Sequence, residues 1–344
     1  MNSRERVYAA IRREPVDRMP RYLWVGDGAA DNLARAYGAK KEDIDFFVGN
    51  DVLQCWLSIN KQMSVPCEEH GSFVDEWGIT WHRDGYYNAV TEHPMAGLDA
   101  EAISTYPLPD PYDPQRYAAF RRLKETYGDE YFIGADVSGS LFEPAYHLRG
   151  MEQLMLDMAA ESEEADILLD RLCEFTTAVA VEAVRLGADW IWLGDDMGTQ
   201  ISMLMSPAMW RTYFRPRMKK IIDAVRAVKP DMIIAYHSCG SIAPIIGELA
   251  DIGINVLNPL QESAVGMNHR AIKEQYGDRL TFMCGLDTQT FLVSASAEET
   301  EQAMREEIAL MSRGGGYIAA VSHTLQHDVP PENILAIVRA IEQG

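Results

Sequence analysis

Short apolar runs of strand length recur along this chain of 344 residues, each followed by a turn and then by a segment with helical periodicity. This alternation predicts parallel strands joined by crossover helices. Eight such strands match a single (β/α)8 TIM barrel, so we predict one domain over residues 1–344. The candidate strands are Arg21 to Val25, Val52 to Leu57, Tyr131 to Ala135, Trp190 to Gly194, Met232 to Tyr236, Val256 to Pro259, Leu280 to Met283 and Tyr317 to Val321.

Helix signals lie between the predicted strands. Ser206-Pro207 offers an N-cap followed by proline at the first helical position, and residues 296–299 form a capping box that opens a helix toward Met311. A long alanine-rich helix is predicted over 162–187, and Pro331 begins a final helix. Residues 73–90 alternate in strand fashion about a turn near 84–85, which predicts an excursion hairpin.

Composition narrows the class of function. The 31 lysines and arginines face 52 aspartates and glutamates, and the net charge of -21 opposes binding to nucleic acid or to an anionic membrane. No apolar run could span a bilayer, and the N-terminus has no secretory signal pattern. The five cysteines are odd in number and widely spread, so we expect them to be reduced. These features predict a soluble cytoplasmic enzyme.

Polar side chains follow several predicted strands, and the carboxyl ends of barrel strands form the active face. His237 and Cys239 end the fifth strand together, and two soft ligands at one strand end suggest a metal. Cys284 at the seventh strand is the candidate third ligand, with His323 after the eighth as the alternative. The competing interpretation is that the cysteines are small core residues and the histidines hydrogen-bonded polar groups.

Carboxylates and aromatic residues complete the predicted site. Asp195 and Asp196 end the fourth strand, and with Glu143 they are candidate catalytic groups that orient a metal-bound histidine or take a proton from substrate. The alternative role for such an aspartate is to cap the following helix. The predicted substrate-binding residues are Trp24, Asp136, Trp192, Asn258 and Gln261.

Three segments resemble the uroporphyrinogen decarboxylase superfamily, and the likeness spans essentially the whole chain. They are Arg13-Glu14-Pro15-Val16-Asp17-Arg18-Met19-Pro20, His237-Ser238-Cys239-Gly240, and Gly316-Tyr317-Ile318 with Pro331-Glu332-Asn333. The resemblance implies a (β/α)8 barrel and two possible branches. One branch contains the porphyrinogen decarboxylases, and the other contains zinc methyltransferases that work with corrinoid proteins.

The decarboxylase branch is the poorer match. Where it has an arginine-rich stretch that clamps substrate carboxylates, this chain reads Arg21-Tyr22-Leu23-Trp24-Val25-Gly26-Asp27-Gly28. Where that branch has its essential aspartate, this chain has Ser58. The methyltransferase branch carries a His-x-Cys pair like His237 and Cys239, with a third thiolate near the end of the chain, where this sequence has His323 instead.

The resemblance therefore implies a zinc-dependent methyltransferase of the methylcobamide:coenzyme M type, with zinc held by His237, Cys239 and either Cys284 or His323. It further implies a methylated corrinoid (cobalamin) carried by a separate corrinoid-binding protein. A small molecule, either a thiol acceptor or a methylated donor, is the other substrate, and the direction of transfer stays open. Two alternatives also stay open: a metal-free decarboxylase of a tetrapyrrole or related acid, and a catalytically silent barrel subunit.

Overall fold

The computed structural model describes residues 1–65 and 71–343, so Cys67 lies outside the described residues. The helices are α1 Ser3–Ile11, α2 Asp27–Tyr37, α3 Ile44–Phe47, α4 Ala100–Thr105, α5 Ala118–Tyr127, α6 Phe142–Arg149, α7 Met151–Ala159, α8 Glu163–Arg185, α9 Pro207–Tyr213, α10 Arg215–Val228, α11 Ile246–Ile252, α12 His269–Tyr276, α13 Phe291–Ser294, α14 Ala297–Met311 and α15 Pro331–Gln343. The strands are β1 Val52–Trp56, β2 Ser72–Val74, β3 Thr80–Asp84, β4 Tyr87–Glu92, β5 Phe132–Asp136, β6 Trp190–Gly194, β7 Ile233–His237, β8 Val256–Asn258, β9 Thr281–Leu286 and β10 Tyr317–Val321.

A curled sheet of seven parallel strands forms the centre of the fold, in the order β1-β5-β6-β7-β8-β9-β10. Each of these strands lies at one of the predicted strand positions, with end points that differ by at most a few residues. Between consecutive strands the chain returns through helices, so the α/β class and the parallel arrangement are confirmed.

The predicted first strand, Arg21 to Val25, does not form a ladder. It makes two isolated parallel bridges, from Arg21 to Ala319 and from Val25 to Leu325. The Asn50 side chain explains the gap, because its Oδ1 accepts from Leu23 N at 2.8 Å and its Nδ2 donates to Leu23 O at 3.0 Å. A side-chain amide thus takes the place of a neighbouring strand there, and the sheet has seven strands where we predicted eight.

Two apolar cores lie on the two faces of the sheet. The inner core contains alternate strand residues, among them Phe132, Trp190, Ile233 and Met283, together with Val7 and Ile11 of α1. The larger outer core joins the strands to the surrounding helices and includes Ile234, Phe282 and Cys284. Since successive side chains of a strand point to opposite faces, this alternation decides which polar residues at the strand ends can meet.

Residues 72–92 form a separate antiparallel sheet in the order β2-β3-β4. The strand predicted over 73–81 is interrupted, because the Asp75 carboxylate accepts from Trp77 N at 2.8 Å, Ile79 N at 3.0 Å and Trp81 Nε1 at 2.8 Å. These bonds hold a turn between β2 and β3. The following connection, at residues 85–86, brings Tyr86 and Tyr87 toward the polar end of the main sheet.

The predicted helix starts are confirmed by their caps. Ser206 accepts from Met209 N at the start of α9, and Ser296 with Glu299 forms a capping box at the start of α14. No helix of the described residues is long and apolar enough to cross a bilayer. Cys55, Cys173, Cys239 and Cys284 are all free thiols. The single-domain prediction over 1–344 stays a prediction.

Candidate metal centre

His237 and Cys239 lie together at the carboxyl end of β7. His237 continues the inward alternation of Ile233 and Ala235, so its ring points into the mouth of the curled sheet. The Cys239 Sγ lies 3.5 Å from His237 Nε2. The two predicted ligands therefore face one common point.

A tight contact between two loops fixes this turn. Gly240 has φ +77°, and a Cβ atom there would lie 2.5 Å from the carbonyl carbon of Gly198. The Ser241 N–H donates to Thr199 O at 2.8 Å, which ties the loop after β7 to the loop after β6. Only glycine at position 240 can adopt this positive φ and also leave room for the Gly198 backbone without strain.

The hydrogen bonds of Asn258 define which nitrogen of His237 is free. Asn258 Nδ2 donates to Met283 O at 2.8 Å, so its Oδ1 is the atom that faces His237 Nδ1 at 2.7 Å. An amide oxygen can only accept, and Nδ1 must therefore carry the proton. The lone pair then resides on Nε2, the nitrogen nearest the Cys239 thiol, which is the tautomer that a metal needs.

His323 is the third member of this group. Ligand atoms of His237, Cys239 and His323 all lie within 4.8 Å of one another. Trp24 stacks on the His323 ring, with centroids 5.9 Å apart and planes inclined by 22°, and so restrains it. Burial lowers the pKa of His323 to about 4, and the neighbouring His237 acts in the same direction. A neutral imidazole with an available lone pair results.

Cys284, our first candidate for the third ligand, lies in a different group. It is fully buried in the outer core, and its Sγ approaches Glu307 Oε1 at 3.8 Å. The residue before it, Met283, is the one that faces inward. Cys284 instead belongs to a cluster with His269 and Glu307 behind the sheet, so the structure favours the alternative, His323.

The outer cluster is already satisfied by its own hydrogen bonds. His269 Nδ1 lies 2.7 Å from Glu307 Oε1, and its Nε2 lies 2.8 Å from Leu260 O. Burial acts to lower the pKa of His269, but the hydrogen bond and charge of Glu307, with smaller contributions from Leu260 O and Glu262, outweigh it and the pKa is raised. We interpret this cluster as a buried ion pair that ties α12 to α14.

The donor set of His237, Cys239 and His323 fits zinc. Nitrogen and sulfur ligands bound tetrahedrally at about 2.0 and about 2.3 Å lie about 3.5 Å apart. The 3.5 Å between His237 Nε2 and Cys239 Sγ equals that separation. Three ligands leave a fourth position open, which is typical of catalytic zinc sites.

The surroundings of the Cys239 thiol disfavour its ionised form. Burial raises its pKa well above the ordinary value, and the charges of Asp196 and Glu143 raise it further, while a hydrogen bond from Gln261 lowers it. Gln261 Oε1 also accepts from Gly240 N at 2.7 Å, so its amide holds both the turn and the thiol. A free cysteine nucleophile is therefore disfavoured at neutral pH.

The three predicted carboxylates have different surroundings. Asp195 is buried, and its carboxylate accepts from Leu141 N at 3.0 Å and Glu143 N at 2.9 Å, so it caps the start of α6. Burial raises the pKa of Asp195 to about 7. Asp196, with 40% of its side chain exposed, has Oδ1 2.8 Å from Cys239 N and 3.5 Å from His237 Nε2. Glu143 Oε1 accepts from Asp196 N at 3.2 Å.

Of the predicted substrate-binding residues, two lie below the ligands. Asp136 is buried and accepts from Gln54 Nε2 at 2.6 Å and Ser138 Oγ at 2.6 Å, and burial raises its pKa. Trp192 belongs to the inner core and stacks 6.1 Å from His237. Both support the floor of the site. Asn258 and Gln261 position His237 and Cys239. Two of the predicted residues line an open cleft, Trp24 in one and Gln261 in another.

Two clefts open beside the ligand group. The aromatic cleft, of about 410 Å³, is lined by Trp24, Trp56, Tyr86, Tyr87, Cys55 and Asp27. The polar cleft, of about 580 Å³, is lined by Cys239, His323, Thr288, Gln289, Gly240 and Asp328. Thr324 and Gln326 line both clefts and form the wall between them. A molecule of substrate size can thus reach the thiol from the polar cleft.

Several of these residues were not predicted. Thr324 and Gln326 follow the last strand by a few positions, and Thr288 follows β9. Ser238, between the two ligands, accepts from Met197 N at 2.9 Å and braces the loop after β6. Their position after strand ends is the only signal that the sequence carries, since threonine, serine and glutamine are common in any loop.

Comparison with known proteins places this arrangement in a family. The model for the family described as uroporphyrinogen decarboxylase (URO-D) matches residues 79–344. The chain belongs to the uroporphyrinogen decarboxylase family. Members of this family act as decarboxylases or as methyltransferases.

Relatives from both groups are similarly distant. The uroporphyrinogen decarboxylase of Legionella pneumophila subsp. pneumophila (strain Philadelphia 1) is 22% identical over 350 residues, covering 97% of this chain and 95% of that protein. The methylcobamide:CoM methyltransferase MtbA of Methanosarcina mazei is 23% identical over 315 residues, covering 88% of each. A solved methyltransferase from Methanosarcina mazei superposes with a TM-score of 0.74 at 20% identity, over 100% of this chain and 99% of that one. The last comparison shows the fold of this member of the family.

Proposed function

We propose that this family member is a zinc-dependent methyltransferase that moves a methyl group between a small molecule and a corrinoid carried by a separate protein. The observation that carries the proposal is the group of His237, Cys239 and His323, whose ligand atoms lie within 4.8 Å of one another beside an open cleft. The Methanosarcina relatives are named for methyl transfer from a methylcobamide to coenzyme M, which supports the corrinoid as the other reactant.

The charges around the site disfavour decarboxylation of a tetrapyrrole. None of the described residues that line the two clefts is a lysine or arginine, whereas Asp27 and Asp328 are present. A substrate with many carboxylates would find no guanidinium or ammonium there to pair with. Arg21 lies in the segment that stands in place of the arginine-rich stretch. It is buried, and its guanidinium already donates hydrogen bonds to Gly49 O and to the Glu342 carboxylate.

Ser58 gives a second argument against decarboxylation. It stands where the resemblance to true decarboxylases expects an essential aspartate, and its hydroxyl donates to Ser138 O. A serine hydroxyl bound in this way supplies no carboxylate to the reaction.

Zinc at this site would act as a Lewis acid that favours the thiolate form of an incoming thiol or polarises the ether or amine of a methylated donor. The chain's own residues set the conditions for that chemistry. Asn258 keeps the lone pair of His237 on Nε2, and Gln261 holds the Cys239 turn. Asp196, the exposed carboxylate nearest the ligands, receives the proton of the incoming thiol, and Glu143 orients the Asp196 backbone.

The experiment uses free methylcob(III)alamin as the corrinoid probe with thiol acceptors, and cob(I)alamin with methylated ethers and amines for the reverse direction. Conversion between the two cobalamins, followed by their absorbance, should depend on zinc in the wild type. It should be lost in Cys239→Ser and kept in Cys284→Ser, which removes the same atom behind the sheet. Decarboxylation of uroporphyrinogen by chelator-treated protein, or indifference to His237→Ala, would contradict the proposal. The predicted cytoplasmic location stays a prediction.

A further inference from the structure

The two clefts beside the ligand group carry negative charge and no fixed positive charge among their described lining residues. Asp27 lines the aromatic cleft and Asp328 the polar cleft, and both side chains are exposed. Asp196 adds a third carboxylate, 3.5 Å from His237 Nε2. A substrate that enters either cleft therefore meets a negative potential.

Cationic side chains near the clefts do not reverse this negative charge. Lys61 and Arg122 both act on Cys55 of the aromatic cleft, but the charge of Asp136 acts on it more strongly in the opposite sense. Neither cation is among the described lining residues of that cleft, and Lys61 Nζ is paired with Glu76 Oε1 at 3.3 Å. Glu76 is shared with Arg116, whose Nη2 lies 2.9 Å away. Residues 66–70, outside the described part, contain two glutamates and neither lysine nor arginine, so they supply no fixed cation.

The aromatic cleft adds a second feature that favours cations. Trp24 and Trp56 meet edge to face with centroids 5.4 Å apart, and Tyr86 and Tyr87 line the same cleft with Asp27. The faces of such rings attract ammonium groups, most strongly where a carboxylate lies nearby. The same surface also accepts neutral apolar groups, but its described lining residues offer no cation to pair with a sulfonate or carboxylate.

We propose that the small-molecule substrate of this site is a cation or a neutral molecule, and that anions such as mercaptoethanesulfonate are selected against. The proposal rests on the proposed function only in calling the bound molecule a substrate, because the charge of the clefts can be measured without turnover. It distinguishes this chain from an enzyme built for coenzyme M, whose sulfonate requires a cationic partner. An aminothiol or a methylated amine or ether fits the clefts better.

Two cysteines allow a direct test, because Cys55 lines the aromatic cleft and Cys239 the polar cleft. Methanethiosulfonate reagents convert a thiolate to a mixed disulfide, and methanesulfinate leaves with the electron pair of the broken S–S bond. Three reagents of similar size carry a trimethylammonium, a neutral methyl or a sulfonate group. For one cysteine the thiolate fraction is the same in all three reactions, so the ratio of rates reports the local potential.

The protein is the full chain in a Cys67→Ser background, with Cys55 measured as purified and Cys239 after chelator treatment. Rates are read by peptide mass spectrometry and divided by those for free mercaptoethanol. We expect the cationic reagent to exceed the anionic one by about tenfold or more at low ionic strength, and the ratio to fall toward one in about 1 M salt. Cys173 and Cys284 are buried and should not react.

Matched variants assign the effect to the two carboxylates. Asp27→Asn should reduce the ratio at Cys55 and Asp328→Asn the ratio at Cys239, each by roughly twofold to fivefold. Asp31→Asn, on the same helix as Asp27 but paired with Lys41 at 3.0 Å, should change neither ratio. Burial raises the pKa of both thiols, so the rates are read at alkaline pH, where each thiol has an appreciable thiolate fraction. Equal or faster reaction of the sulfonate would overturn the proposal. Loss of zinc binding or methyl transfer with the cation preference intact would instead count against the proposed function alone.

Discussion

His237 Nδ1 lies 2.7 Å from the Oδ1 of Asn258, and a second hydrogen bond from Asn258 Nδ2 to Met283 O fixes the orientation of that amide. β7 and β8 are neighbours in the sheet, with His237 opposite Asn258 in register. The backbone pairing of two strands therefore determines which ring nitrogen of His237 faces the candidate metal centre with its lone pair.

Asn258→Ala should weaken zinc binding by about tenfold to a hundredfold, because the imidazole loses the acceptor that holds its ring and tautomer. Competition with a chromophoric zinc chelator measures the change. Asn255 provides the control at the opposite end of β8, since its Oδ1 accepts from Ile234 N at 2.9 Å, remote from the ligands. Asn255→Ala should lower stability and leave zinc affinity unchanged. Equal affinity in wild type and Asn258→Ala would contradict this role.

Substitution by alanine should have different effects on stability and activity at the adjacent residues Asp195 and Asp196. Asp195→Ala removes the acceptor for Leu141 N and Glu143 N and should lower the free energy of unfolding by about 2 kcal/mol. Asp196→Ala should change stability by less than about 1 kcal/mol but reduce methyl transfer at saturating zinc. Urea unfolding and the cobalamin assay separate the two effects. The assignment fails if Asp195→Ala is the variant that keeps its stability and loses activity.

Strand positions could be predicted from the sequence because each buried strand is a short apolar run bounded by turns. The runs Trp190 to Gly194 and Tyr317 to Val321 agree with β6 and β10 to the residue. The prediction of a strand at Arg21 to Val25 was wrong, because the Asn50 side-chain amide forms hydrogen bonds with both backbone groups of Leu23. A side chain that takes the hydrogen bonds of a neighbouring strand leaves no periodic pattern in the sequence.

The third ligand could not be decided from the sequence for a different reason. Strands of a parallel sheet are apolar on both faces, so alternation does not show which side chains point inward. Met283 faces the inner core and Cys284 the outer one, yet both residues are apolar in character. His323 lies in the connection after β10, where only the folded loop brings it to His237.

The buried pair of His269 and Glu307 should make stability depend on pH. The pKa of His269 is raised in the folded chain, so its stabilising effect is complete below the unfolded value of about 6.5 and is lost as pH rises through the folded value. Glu307→Gln should therefore cost about 1–3 kcal/mol more at pH 6 than at pH 9.

Urea unfolding of both proteins at each pH tests this effect. Glu306→Gln is the matched control, because the neighbouring Glu306 is exposed and accepts from Gln302 Nε2 at 2.7 Å on the same helix. Its cost should be small and similar at both pH values. If Glu307→Gln lowers the free energy of unfolding equally at both pH values, a protonated His269 paired with Glu307 does not contribute to stability.

Gly240→Ala should disrupt the metal centre through the loop contact with Gly198. Gly38 has a similar backbone conformation, with φ +71°, but apart from its two chain neighbours no described residue has an atom within 4 Å of where its Cβ would be. Gly38→Ala should cost about 1 kcal/mol from backbone strain alone. Gly240→Ala should cost more and also lower zinc affinity, by thermal unfolding and chelator competition. Equal effects of the two variants would show that the loop contact is unimportant.

The proposed zinc site of His237, Cys239 and His323 is tested first by the zinc content of untagged protein purified without chelator, measured by mass spectrometry for the wild type and matched variants. We expect about one zinc per chain in the wild type and in Cys284→Ser. We expect that zinc to be lost in His237→Ala, Cys239→Ser and His323→Ala, with each variant still folded by circular dichroism. Zinc that survives in His323→Ala but is lost in Cys284→Ser, or a wild type that takes up no zinc even when it is supplied, would contradict this ligand set.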